Sequence, residues 1–170
     1  MEKSIEIIKT STGQKIKVKV TRELFNSIGQ VEINPIGAHF LIELDGVRGE
    51  LNNSDFVEKT LQEAALAANA QIIFSKFHAF EPQGITGCVG VEESHLTAHT
   101  WPEFIFAALD VFLCNSEDRG KKIEPEKAFR VMLERFMPSS ARILQVHRGP
   151  IKKPSVNPDP PRKFYEGSEF

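Results

Sequence analysis

The sequence predicts an α+β fold, a two-layer sandwich in which an antiparallel β-sheet carries two main helices on one face. Three observations predict it. Several short stretches alternate apolar and polar residues at period two, the signature of half-buried strands. Two longer stretches carry their apolar residues at the helical period instead. Short turns separate successive strands, which suits antiparallel neighbours.

Residues 4–20 read as a hairpin, because SIEIIKT and KIKVKVT both alternate and Ser11-Thr12-Gly13 supplies turn chemistry. IGAHFLIEL (36–44) is a more apolar strand and belongs in the main sheet. A helix is predicted from Asp55 to Ala70, with Ser54 as N-cap and Val57, Leu61, Ala64, Ala65 and Ala68 in one apolar stripe. QIIFSKFHAF follows as a strand, and Glu81-Pro82-Gln83-Gly84 turns the chain. ITGCVGV then runs on as a strand into VEESHLTAHTWPE (91–103), where Pro102 limits it or bends it. EFIFAALDVFLC (103–114) is the next strand, and a polar loop (115–122) leads to a second helix. Pro125 suits the first turn of that helix, and Ala128, Phe129, Met132, Leu133 and Phe136 give its buried face. ARILQVHR (141–148) closes the core, whose order is β-α-β-β-β-α-β. The organisation is an N-terminal extension (1–35), a core (36–149) and a tail (150–170) that holds five of the ten prolines. One sheet face lacks helices, reads as apolar, and predicts burial against a second copy in a homodimer.

Composition narrows the function classes. A net charge of -2 gives no basic field, so nucleic acid is not expected as a partner. No apolar run reaches the roughly 18–20 residues of a membrane span, and MEKSIEIIKT has no secretory apolar region. Two cysteines, Cys88 and Cys114, are too few for a disulfide scaffold or a four-cysteine zinc site, so a reducing cytoplasmic location is expected. Thirteen phenylalanines against one tyrosine and one tryptophan point to a Phe-packed core and single out Trp101.

Chemistry concentrates in residues 91–103, where three readings of Ser94 compete. A hydrolase nucleophile would need a base, yet no Gly-x-Ser-x-Gly elbow is present and adjacent His95 points to the opposite face of a strand. A metal site could use His95 and His99, with His39, His78 or Cys114, but the spacing matches no zinc pattern and no metal is expected. The third reading uses the peptide bond before the serine. Attack of the hydroxyl on the preceding carbonyl gives an internal ester, β-elimination leaves dehydroalanine, and hydrolysis yields a pyruvoyl group at a new N-terminus. That ketone can form a Schiff base with a substrate amine and serve as an electron sink.

GITGCVGVEESHLTAHTWPEFIFAALDVFLC resembles the processing and active-site segment of the prokaryotic S-adenosylmethionine decarboxylases, pyruvoyl enzymes of polyamine synthesis. The similarity includes GAHFLIEL, the FHAFEPQG turn and VHRG, and spans about residues 36–149. The resemblance implies self-cleavage between Glu93 and Ser94, with Ser94 becoming the pyruvoyl cofactor and the protein a homodimer of cleaved αβ protomers. Thr86 stands where the family has a hydroxyl assisting processing, His99 matches the histidine that moves a proton in ester breakdown, and Cys114 matches the general acid. Phe80 and Trp101 match the aromatic pair around adenine, Glu103 the carboxylate on the ribose hydroxyls, and Leu96 a position where backbone meets the base. Glu43 matches an acidic residue near the reacting centre, with His39 on the same strand face. Cys88 and His95 keep a structural reading. Departures are the extra carboxylate at Glu92, Phe104 and Phe106 where tyrosines are common, Asn115 after the cysteine, and GCVGV for a β-branched run. The expected activity is decarboxylation of S-adenosylmethionine to the aminopropyl donor for spermidine. Arginine or another basic amino acid is the alternative substrate, and an unprocessed binding homologue the alternative of another class.

Overall fold

The computed structural model describes residues 2–9, 13, 15–23, 36–114 and 122–150. The expected turn residues 11–12, most of the polar loop (115–121) and the tail from 151 lie outside the described residues. The strands are β1 (Glu2–Lys9), β2 (Lys15–Glu23), β3 (Gly37–Asp45), β4 (Ile72–Ala79), β5 (Ile85–Val91), β6 (Ser94–Trp101), β7 (Phe106–Cys114) and β8 (Ser140–Arg148). The helices are α1 (Ser54–Ala67) and α2 (Pro125–Phe136). One sheet runs β1-β2-β8-β3-β7-β6-β5-β4. Every neighbouring pair is antiparallel except β2–β8, which is parallel.

Both helices cover one face, as expected. Alternation sends Phe40, Ile42 and Leu44 of β3, Leu96 and Ala98 of β6, and Leu109, Val111 and Leu113 of β7 to that side, where all are buried. There they meet Val57, Leu61, Ala64 and Ala65 of α1 and Ala128, Met132, Leu133 and Phe136 of α2. Phe129 packs edge-on against Phe40 at 4.6 Å between centroids, and Phe56 meets Phe136 at 5.9 Å.

Five sequence expectations need correction. The strand expected to run unbroken through the 91–103 motif is two strands, because Val91 pairs with Ser94 and Glu92-Glu93 form a two-residue hairpin link. The N-cap of α1 is Asn53 rather than Ser54: its Oδ1 accepts from Phe56 N–H at 3.1 Å, and the helix ends at Ala67, three residues early. The strand expected from Glu103 starts at Phe106, since Pro102–Phe104 form a 3-10 turn closed by Ile105 at φ 48°. The N-terminal hairpin is an integral part of the sheet, with Ile16 and Val18 fully buried in the core. The uncovered face, expected to be apolar, is mixed: alternation puts His39, Glu43, His95, Thr97, His99 and Asp110 on it beside Leu41, Phe112 and Leu144.

Candidate active site

Residues opposite one another in the ladders form rows across the uncovered face. The first row holds Arg142, Glu43, Ala108, His99 and Thr86. The second holds Leu144, Leu41, Asp110, Thr97 and Cys88, and the third Val146, His39, Phe112 and His95. Arg148, Gly37 and Cys114 make the fourth. Trp101 lies one row beyond the first, paired with Phe106.

At the fourth-row end, the Glu92-Glu93 link delivers Ser94 beside the end of β7. The Ser94 hydroxyl is buried, with no oxygen or nitrogen partner and only the Cys114 thiol as a polar neighbour. The Cys114 thiol donates to the Glu93 carbonyl oxygen at 3.1 Å. Burial, and then the charge of Glu93, push the Cys114 thiol above its ordinary value, with the nearby Ser94 hydroxyl and Arg148 acting weakly the other way. The thiol is therefore protonated at neutral pH.

Thr86 and His99 meet in the first row, Oγ1 to Nδ1 at 2.9 Å. Glu43 lies two strands from His99 and is held by Arg142, whose Nη2 is 2.9 Å from its Oε2. Beyond them stand the nucleoside candidates. Trp101 packs at 5.6 Å on Phe106 and 6.2 Å from His99, and Phe80 meets His78 at 4.9 Å. Both rings keep exposed faces. Glu103, in the 3-10 turn, accepts from Gln83 Nε2 at 3.1 Å. Thr100 stiffens this end: its buried hydroxyl accepts from Ile85 N–H and donates to Leu51 C=O, both at 2.8 Å. Leu96 is fully buried on the helix side, between Val89 and Val111, away from all these groups.

The candidate residues other than Leu96 thus form two groups at opposite ends of the β6 strand and its neighbours. His99 lies five residues along β6 from Ser94, about 17 Å at strand rise, and Trp101 about 23 Å. His95 and His99 stand about 13 Å apart by the same measure, too far to share one ion. Among the described residues no cluster of three metal-ligating side chains occurs.

The sequence reading passed over Asp110, the one charged residue in the strand FAALDVFLC. Its Oδ2 accepts from Thr97 Oγ1 at 3.0 Å and its Oδ1 is 3.5 Å from His39 Nε2. His39 in turn meets His95 edge-on at 5.9 Å. Burial holds His39 below its ordinary value, against the opposing pull of Asp110. A lone carboxylate at an open-face position of an otherwise apolar strand was the available signal.

Residues 38–149 match the family described as S-adenosylmethionine decarboxylase. The chain belongs to the S-adenosylmethionine decarboxylase family. A decarboxylase proenzyme of that name from Clostridium kluyveri is 45% identical over 118 residues, 69% of this chain and 90% of that protein. One from Thermococcus gammatolerans is 42% identical over 119 residues, covering 69% and 80%. Among solved structures, the adenosylmethionine decarboxylase from Aquifex aeolicus VF5 superposes with a TM-score of 0.60 at 30% identity, over 73% of this chain and 99% of that one. Family membership makes the chain an enzyme, a decarboxylase, and no helix among the described residues is long and apolar enough to cross a membrane.

Proposed function

We propose that this chain cuts its own Glu93–Ser94 bond and then decarboxylates S-adenosylmethionine to the aminopropyl donor for spermidine synthesis. The observation that carries the reading is the buried Ser94 hydroxyl beside the hairpin link, with no oxygen or nitrogen partner, and the Cys114 thiol next to it on the Glu93 carbonyl oxygen. A hydroxyl with only a weak sulfur neighbour is available to attack the carbonyl that precedes it, and a donor on that oxygen stabilises the charge that builds there. The Ser94 Oγ bonds to the Glu93 carbonyl carbon, the C–N bond breaks, and the nitrogen gains a proton. Loss of the Ser94 Cα proton then expels the Glu93 carboxylate, and tautomerisation and hydrolysis of dehydroalanine release ammonia. The pyruvoyl group left at position 94 supplies the electron sink that decarboxylation requires. Cys114 Sγ, protonated at neutral pH, gives its proton to the substrate carbon after carbon dioxide leaves. Phe80, Trp101 and Glu103 recognise the nucleoside by stacking and by ribose hydrogen bonds, and Glu43 sits near the reacting centre.

Two copies complete each site. Within one copy, about 17 Å along β6 separates Ser94 from the Thr86–His99 pair. Two uncovered faces packed about 10 Å apart, related by a two-fold axis running across the strands, reverse the strand direction from one copy to the other. Each Ser94–Cys114 end then lies over the partner copy's His99–Trp101 end. The protein acts as a homodimer of cleaved αβ protomers.

Denaturing electrophoresis and carbon dioxide release test the function together. Purified protein should run as pieces 1–93 and 94–170, Ser94→Ala should stay whole, and S-adenosylmethionine should be decarboxylated in preference to arginine, ornithine and lysine. An uncut chain that resists trapping by amine and borohydride defeats the reading; release from the amino acids alone defeats the nucleoside assignment.

A further inference from the structure

Beside the Ser94–Cys114 end, a cavity of about 770 Å³ opens on the uncovered face. Ile36, Leu41, Phe112 and Val146 give it apolar walls, and His39 and Arg148 bring nitrogen donors to it. Its place is fixed by glycine. Gly37 sits between Arg148 and Cys114 in the fourth row. A Cβ there would come within 2.6 Å of Leu113 O and 3.1 Å of the Phe112 ring. Without that side chain, Arg148 reaches across β3, and its guanidinium lies 4.8 Å over the Phe112 ring. Phe112 is itself paired with His95, the residue after Ser94. Stacking uses the flat face of a guanidinium and leaves its in-plane N–H fork for a planar anion.

We propose that this cavity receives the α-carboxylate of the substrate and that Arg148 is its recognition residue. The inference rests on the proposed activity at Ser94. A carboxylate is the group on the substrate that is lost in the reaction, so a fixed cation at this position separates substrate from product by charge. Substrate is attracted; the product, which has lost its negative charge and kept its positive ones, is not. Arg148 thereby assists product release as well as binding. Because it engages a group present in the ground state, it contributes to KM and not to the chemical step.

Steady-state carbon dioxide release from S-adenosylmethionine by the wild-type enzyme, Arg148→Gln and Arg148→Lys tests this, with the substrate's methyl ester and the decarboxylated nucleoside as competitive inhibitors. Arg148→Gln should raise KM about tenfold, the scale of one charge-assisted hydrogen-bonded pair, and leave kcat within about threefold. Inhibition by the ester, which has no carboxylate charge, and by the product should stay unweakened. Arg148→Lys, which keeps charge but not the fork, should fall between. An unchanged KM overturns the proposal, as does a loss of ester binding by the same factor, which would mark Arg148 as a support for the site's shape. If Arg148→Gln fails to self-cleave, the same split must be seen in Arg148→Lys, and a wild-type KM there overturns it. A wild-type enzyme that releases no carbon dioxide at all overturns instead the activity on which this rests.

Discussion

Co-expression of two inactive variants tests whether each site is built from both copies. Ser94→Ala lacks the group that attacks, and His99→Ala lacks the partner of Thr86. Each alone should remain uncut. The separation of about 17 Å along β6 far exceeds a hydrogen bond, so His99 cannot serve the serine of its own chain. In a mixed dimer the His99→Ala copy keeps its Ser94 and receives His99 from the other copy. Random pairing makes about half the dimers mixed, each with one complete site of two, so about a quarter of wild-type carbon dioxide release should return. About half the His99→Ala chains should be cut by the same statistics, which a size tag on one variant resolves on a gel. Mixed dimers that form but leave the His99→Ala chain whole would show that the two groups act within one chain, and the two-copy site would be wrong.

Other outcomes follow from single residues. Cys114→Ala should lower decarboxylation per cut chain by about 10²-fold or more, as loss of a general acid does. With Cys114 in place, activity should persist beyond the ordinary thiol value of 9.0 and fall as the raised pKa is passed; an alkaline limb below that value contradicts the assignment. His39, held neutral by burial below its ordinary 6.5, binds fewer protons folded than unfolded. Its contribution to stability is therefore fully present above pH 6.5 and is lost as the pH falls from there through the lower value of the folded state, so melting curves of His39→Gln should show a weaker acid dependence than wild type. Ile105 is β-branched at φ 48° and ψ 43°, a left-handed conformation that costs about 1–2 kcal/mol. Glycine gives back about 0.5–1 kcal/mol of that through the flexibility of the unfolded chain, so Ile105→Gly should raise Tm by about 1–4 °C; a fall in Tm would mean that the half-exposed side chain contributes more than its backbone costs.

Strand and helix identity was legible in the sequence wherever one face is buried, because burial imposes a period. KIKVK (15–19) alternates exposed and buried residues in the fold as it alternates charged and apolar ones on paper, and α1 and α2 bury the stripes their spacing marks. The hairpin link was marked only faintly. Glu92-Glu93 offers no Gly, Asn or Asp to mark a tight turn, and the one sign is that the apolar positions change phase across it, from Val89 and Val91 to Leu96 and Ala98. The parallel pairing of β2 with β8 joins segments more than a hundred residues apart, which local pattern cannot encode. Asn53 and Ser54 are both good caps, and only the backbone direction chooses between them. At the site, the motif supplied the candidate residues, while their division between two ends of the strands became visible only with the register. Thr86 and His99 are thirteen apart in sequence and adjacent in space; Ser94 and His99 are the reverse.

The order of strands gives the proposed hairpin cut a consequence for folding. A break after Glu93 assigns β1 to β5 and α1 to one piece, and β6 to β8 and α2 to the other. Across the sheet the pieces alternate: β8 lies between β2 and β3, and β3 lies between β8 and β7. Neither piece holds a contiguous half of the sheet, so neither can leave without unzipping ladders on both sides of an inner strand. A chain cut there would therefore stay together without a covalent link. Once melted, it must reassemble two interleaved chains by collision, each with its inner strand edges bare, and the uncut chain is the form whose folding is unimolecular.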